Sequence, residues 1–226
     1  MGCRFLLGGK YMVVSKIGQQ HIEYGINCQD YGIEKNGVKI VCDGCSEGKH
    51  SEVGAKTFCH LMEHDKRCID FMQSIFEKMI DMFGQTSATI RDFLCFTILM
   101  VVETDDEFIV TYCGDGFIIE QFVDGRVLIE ELNDGEYPKY YAYNYVDKDS
   151  LSHYKEGVEL QTRTFPKDTY KNIGVASDGI RFAVKNEDGE IRAGFVNAIL
   201  SGKAGKLKRF INKNQNVFKD DTTVVF

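Results

Sequence analysis

The chain has 226 residues, 43% hydrophobic and 27% charged, which suits a globular domain with a sizeable core. Its formal net charge of −7 argues against non-specific nucleic-acid binding, and the basic run Lys203, Lys206, Lys208, Arg209, Lys213 reads as a solvated helix face. No apolar run reaches the roughly 18 residues of a membrane span, and the apolar stretch in "MGCRFLLGG" is too short for a signal-peptide core, so a cytoplasmic protein without a membrane partner is expected.

In chain order, "KYMVVSKIG" reads as a strand and "YGIEKNGVKIVCD" as a hairpin about Asn36-Gly37. Residues 51–83 are helical in pattern. Val53, Phe58, Leu61 and Met62 share one broad face; Ile69, Met72, Ile75, Phe76, Met79 and Phe83 recur at helical spacing; and Gly84 closes the run. From 92 to 131 an antiparallel meander is expected. "FLCFTILMVVE" turns at 104–106 into "EFIVTYC", and "FIIEQFV" turns at Asp124-Gly125 into "RVLIEEL". The tyrosine-rich stretch 132–157 has no clean period and reads as a long excursion beside the core. Strands "VELQTRTF" and "YKNIGVASDG", a helical stretch over roughly 190–212 and a last strand, "TTVVF", complete an α+β layered domain over residues 1–226.

The eight cysteines, several inside apolar segments as Cys95 and Cys113 are, fit reduced packed thiols better than a disulfide framework. Cys42 and Cys45 form a C-x-x-C with no second pair at zinc spacing. "HLMEH", residues 60–64, matches a zinc-protease pattern. However, His60 and Glu63 fall opposite the Phe58/Leu61/Met62 face, where a solvated surface accounts for them.

The aspartates carry the chemistry. Asp43 ends the apolar run Val38, Ile40, Val41 and is followed by glycine; Asp178 does the same in "NIGVASDGI" and Asp115 in "IVTYCGDGF". Asp220 and Asp221 stand immediately before the last strand, and Asp30 closes "NCQD". One Asp-Gly is a turn or a helix cap. If the last strand runs antiparallel to those at 38–42 and 173–177, four or five carboxylates converge on one rim. Like charges that close raise each other's pKa unless a cation neutralises them. Oxygen ligands without a His or Cys cluster point to Mg²⁺ or Mn²⁺.

The ordered series QD (29–30), DGCSEG (43–48), FTILMVVE then GDG (96–116), SDG (177–179) and DDTTVV (220–225) resembles the metal-dependent protein phosphatases of type 2C. The resemblance runs from about Ser15 to the last residue, and "HIEYGINCQD" with "SEVGAK" is most similar to the compact bacterial members. It implies a four-layer α-β-β-α sandwich of two antiparallel sheets flanked by helices, with a two-metal site for Mn²⁺ or Mg²⁺ at one end. Asp43 would bridge both metals, the Gly44 carbonyl would help hold one, Asp178 and Asp220 would complete the ligands, and Asp30 would hold water. The reaction implied is hydrolysis of phosphoserine or phosphothreonine in proteins, by a monomer acting opposite a serine/threonine kinase.

Several residues depart from that pattern. Gln29 stands where many members have Glu, Cys45 where many have His, and Asp221 where many have Asn. No arginine lies between Gly18 and Asp30, which leaves His21 as the candidate to grip the substrate phosphate. Asp115 and Asp178 would suit a third metal, but Phe182 stands where its last aspartate would be. The stretch 132–157 takes the place of the family's flap, with Tyr137, Tyr140, Tyr141 and Tyr143 read as packing it down. These departures motivate an alternative, a catalytically weak or inactive phosphatase-like binding module; retention of Asp43, Asp178 and Asp220 favours the enzyme.

Overall fold

The computed structural model describes residues 12–62, 71–132, 135, 137–185 and 189–226. Asn36 and Gly37 take left-handed backbone (φ 57° and 80°), which closes a tight hairpin between β2 (Tyr31–Lys35) and β3 (Val38–Cys42). β3 then pairs antiparallel with β4 (Ile98–Glu103), β4 with β5 (Glu107–Cys113), and β5 with β8 (Gln161–Pro166). A second antiparallel sheet has the order β1 (Val13–Lys16), β10 (Thr222–Val225), β9 (Tyr170–Ala176), β6 (Gly116–Phe122), β7 (Val127–Leu132).

The expected meander over 92–131 is therefore two hairpins in different sheets. Gly114 and Gly116 carry the chain across at φ 96° and 140°, backbone that disfavours any side chain. A Cβ on Gly114 would lie 2.7 Å from Thr97 Cγ2, so the corner also needs glycine for space. Residues 93–97 also differ from expectation. Helix α4 runs Ser87–Leu94, capped by Thr86 Oγ1 accepting the Thr89 N–H at 3.1 Å, and the strand begins only at Ile98. Likewise β10 pairs with β9 and β1, while β3 belongs to the facing sheet rather than beside it.

Alternation along β3 fixes the layers. Val38, Ile40 and Cys42 face outward onto Phe58, Phe76 and Phe96, under α2 (Ser51–Met62), α3 (Met72–Phe83) and α4. Val41 faces inward to Leu99, Val110, Ile118, Val175 and Val225, between the sheets. The second sheet's outer face packs Phe117, Ile119 and Val224 against Phe195, Leu207 and Ile211 of α6 (Gly189–Leu200) and α7 (Ala204–Lys213). Two short helices, α1 (Gln19–Tyr24) and α5 (Arg181–Val184), complete the order. The architecture is the α-β-β-α sandwich expected.

Both long helical stretches are divided. The run 51–83 is α2 and α3, with Glu63, His64 and Ile69 outside the described residues, and Gly202 (φ 63°) sits in the turn separating α6 from α7. His60 of "HLMEH" meets the Tyr31 hydroxyl through Nε2 at 3.1 Å. The excursion folds into 3₁₀ turns at Tyr141–Tyr145 and Lys148–Ser150, pinned by rings as expected. Phe76 has Tyr141 at 4.9 Å and Tyr145 stacked at 5.9 Å, and Tyr140 is buried. Tyr137 is the exception, exposed and stacked on His153. Among the described residues the cysteines are free, and no helix is long and apolar enough to cross a membrane.

Candidate active site

Strand pairing gathers the aspartates. Because β2 and β3 are antiparallel with Tyr31 opposite Cys42, Asp30 (before β2) and Asp43 (after β3) emerge together from one sheet. Because β9 and β10 are antiparallel with Ala176 opposite Val224, Asp178 (after β9) and Asp220 (before β10) emerge together from the other.

Asp43 is locked at both backbone groups by Thr97. Its N–H donates to Thr97 Oγ1 at 3.1 Å, and its carbonyl accepts the Thr97 N–H at 2.8 Å. Burial first, then the charges of Asp30, Asp178 and Asp220, hold its carboxyl well above the usual carboxylate range. Asp30 is buried and accepts the Ser177 hydroxyl on Oδ2 at 2.6 Å. Burial pushes Asp30 up to about 7, with Ser177 opposing and Asp221 adding. Its Oδ1 is buried with no hydrogen-bond partner. Asp178 is pushed up to about 6 by burial and then by Asp115, against the opposing charge of Arg181, whose Nη1 lies 3.1 Å from Asp178 Oδ2. Asp220 is half exposed and accepts the Asp221 N–H at 2.8 Å.

All these donors are hard oxygens. The partnerless Asp30 Oδ1 and the mutual charging of Asp43 with three other carboxyls are needs a divalent cation would meet, so the residues fit such an ion. Among the described residues no three His, Cys, Asp or Glu side chains already stand as a ready-made metal-holding group.

Residues 17–211 match the family Protein phosphatase 2C. The chain belongs to the protein phosphatase 2C family. Membership makes it a protein phosphatase, a hydrolase. No curated protein matches it in sequence. Among solved structures it is similar to the serine/threonine phosphatase Stp1 from Staphylococcus aureus, at 14% identity over 100% of this chain and 97% of that one, TM-score 0.63. It is similar to the Mycobacterium tuberculosis serine/threonine phosphatase PstP/Ppp at 13% identity, covering 95% of this chain and 96% of that one, TM-score 0.60. The catalytic domain of PstP in complex with 2 manganese ions aligns at 15% identity over 95% of each chain, TM-score 0.57. At these identities the likeness is one of fold.

Other residues of this protein phosphatase 2C site are visible only in three dimensions. Asp221, 2% exposed, accepts three hydrogen bonds: Gly18 N–H on Oδ1 at 2.8 Å, and Gln29 N–H at 2.5 Å and His21 Nδ1 at 2.9 Å on Oδ2. His21 is thus a buried partner of the Asp220-Asp221 pair, its Nε2 lying 3.9 Å from Asp220 Oδ1. Gln29 Nε2 donates to the Cys45 and Gly48 carbonyls and to Ser51 Oγ, tying the loop after Asp43 to the start of α2. Gly44 approaches so closely that a Cβ would lie 2.6 Å from Ser51 Oγ. Asp115 is held by Arg181 Nη2 at 3.0 Å. The signal for Ser177 was its place beside Asp178, and for Asp221 its place beside Asp220; Thr97 and Arg181 carried none. A cavity of about 460 Å³ opens between Cys45, two residues past Asp43 in the chain, and Arg91, Tyr140, Tyr143 and His153, beneath the excursion.

Proposed function

We propose that this protein phosphatase is a divalent-metal-dependent hydrolase of phosphoserine and phosphothreonine in proteins, using two ions of Mn²⁺ or Mg²⁺. Asp43, the Gly44 carbonyl, Asp178 and Asp220 would hold the ions. The observation that carries this reading is the gathering of four aspartates from strand ends of two facing sheets, near enough that burial and then Asp30, Asp178 and Asp220 raise the Asp43 carboxyl. When bound, such ions supply an acidified water as nucleophile and neutralise charge on the phosphoryl oxygens.

The chain's own residues then orient. Thr97 fixes the backbone from which Asp43 projects. Ser177 holds one oxygen of Asp30, and Oδ1 would be left to accept a hydrogen bond from a water in the site. Asp221 and His21 set the segment that presents Asp220. This reading requires no phosphoenzyme nucleophile, so the cysteines need no catalytic role. The cavity under the excursion receives the peptide flanking the phosphorylated residue. On this reading the protein works as a cytoplasmic monomer opposite a serine/threonine kinase.

The test is phosphate release from a phosphothreonine peptide with Mn²⁺, Mg²⁺, Zn²⁺ or chelator, alongside Asp43→Asn. Release with Mn²⁺ or Mg²⁺ that vanishes in the variant is expected. No release from folded protein across several peptides would overturn the proposal in favour of a phosphatase-like binding module.

A further inference from the structure

Beside the site, three acidic side chains from three elements meet one cation. Asp115 stands in the glycine corner between β5 and β6, Glu131 in β7, and Asp178 just after β9. Arg181 serves each with a different nitrogen: Nη2 to Asp115 Oδ2 at 3.0 Å, Nε to Glu131 Oε1 at 2.9 Å and Nη1 to Asp178 Oδ2 at 3.1 Å. Lys185, one turn on, pairs with the second oxygen of Glu131.

An exposed ion pair is worth little, because solvent screens it and two long side chains must be ordered. This arrangement is of another kind. A planar, always-charged fork spans three acids that would otherwise repel at close range, and its geometry fixes where each carboxyl points. Three acids that close need a cation, and a bound ion or a side chain can supply it. Here the side chain does, and in doing so it takes Oδ2 of Asp178 and the Oδ2 of Asp115.

We propose that Arg181 is a built-in cation that neutralises Asp115 and Glu131, positions Asp178, and keeps a further divalent ion out of this side of the site. Asp115, expected from the sequence as a metal ligand, then serves Arg181 instead. Arg181 is a positioning residue: it acts on the reaction through Asp178. The inference rests on the proposed two-ion reading for what Asp178 is positioned to do, but not for the comparison of ion counts.

The experiment counts Mn²⁺ bound per folded chain, by the EPR signal of unbound ion, and follows thermal unfolding with and without Mn²⁺. Wild type, R181M, R181K and R181M/D115N are compared. R181M is expected to bind one Mn²⁺ more than wild type and to gain more in Tm from Mn²⁺. R181K, which keeps the charge, is expected to keep the wild-type count, and adding D115N to R181M removes the extra ion. Equal counts in wild type and R181M overturn the inference. Should R181M not fold alone, recovery of its helical circular dichroism on adding Mn²⁺ supports the inference, and failure to recover overturns it. A wild-type count of zero defeats the two-ion proposal while leaving the difference between variants as the test of Arg181.

Discussion

Asp221 ties together the chain segment 18–29 that leads into the site. Its carboxylate, 2% exposed, takes two backbone N–H groups 11 residues apart in the chain, at Gly18 and Gln29, and the ring of His21 between them. Removing it in Asp221→Ala strands three buried donors, at about 1–3 kcal/mol each. Allowing for partial relaxation, the loss is about 4 kcal/mol, or about 8–16 °C in Tm for a chain of this size. Asp221→Asn keeps the shape but turns one acceptor into a donor facing a donor, and is expected to cost about 2 kcal/mol. Urea unfolding followed by circular dichroism measures both, and hydrogen exchange of residues 18–29 locates the effect. If Asp221→Ala unfolds within about 1 kcal/mol of wild type, with exchange over 18–29 unchanged, the hub does not hold that segment and the reasoning fails.

Three further perturbations probe the same physics elsewhere. Ser177→Ala removes the donor to Asp30 and the acceptor of the Thr223 N–H, and should weaken Mn²⁺ binding by about 10–100-fold in titration calorimetry; unchanged affinity would show that Asp30 needs no orienting. Gly54→Ala would place a Cβ 1.6 Å from the Phe93 carbonyl oxygen, so α2 and α4 must part at a cost of about 1–3 kcal/mol, visible as a lower urea midpoint. Lys39 is buried between the sheets, donating to Asn172 Oδ1 and the Ile173 carbonyl, and burial lowers it to about 8 against the raising charges of Glu103 and Glu34 and with Lys167 adding. Its unfolded value is 10.5, so the folded chain sheds this proton first. The penalty is full below pH 8 and relieved as pH rises towards 10.5, which is about 3 kcal/mol. The stability of Lys39→Met relative to wild type should fall by that amount across this window, and a flat difference would contradict it.

How much could be read in advance follows from range. The strands at 31–35, 38–42 and 222–225 show in local alternation or β-branched runs, and the hairpin in Asn36-Gly37, because those signals are written within a few residues. Which sheet a strand joins is not written locally, so β4 to β7 read as one meander although two glycines between them carry the chain across. Helix α4 was masked because "FLCF" continues an apolar run into β4 without a break in period. In the site, the aspartates were legible from their repeated place at strand ends. Their supports were not: Thr97 lies 54 residues from Asp43, Ser177 147 from Asp30, and Gly18 203 from Asp221. His21 stands out in the sequence for a missing arginine, whereas its ring is hydrogen-bonded to Asp221, a partner 200 residues away.

The two carboxylate pairs belong to different sheets, and no strand is shared between those sheets. The gap between the Asp30/Asp43 pair and the Asp178/Asp220 pair is therefore set by the thickness of the apolar filling behind it, where Val41 and Leu99 meet Ile118 and Val175. The rim behaves as the jaws of a caliper whose opening is adjusted from inside the sandwich. A methylene lost or gained in that filling changes the distance over which four carboxyl groups must be reconciled.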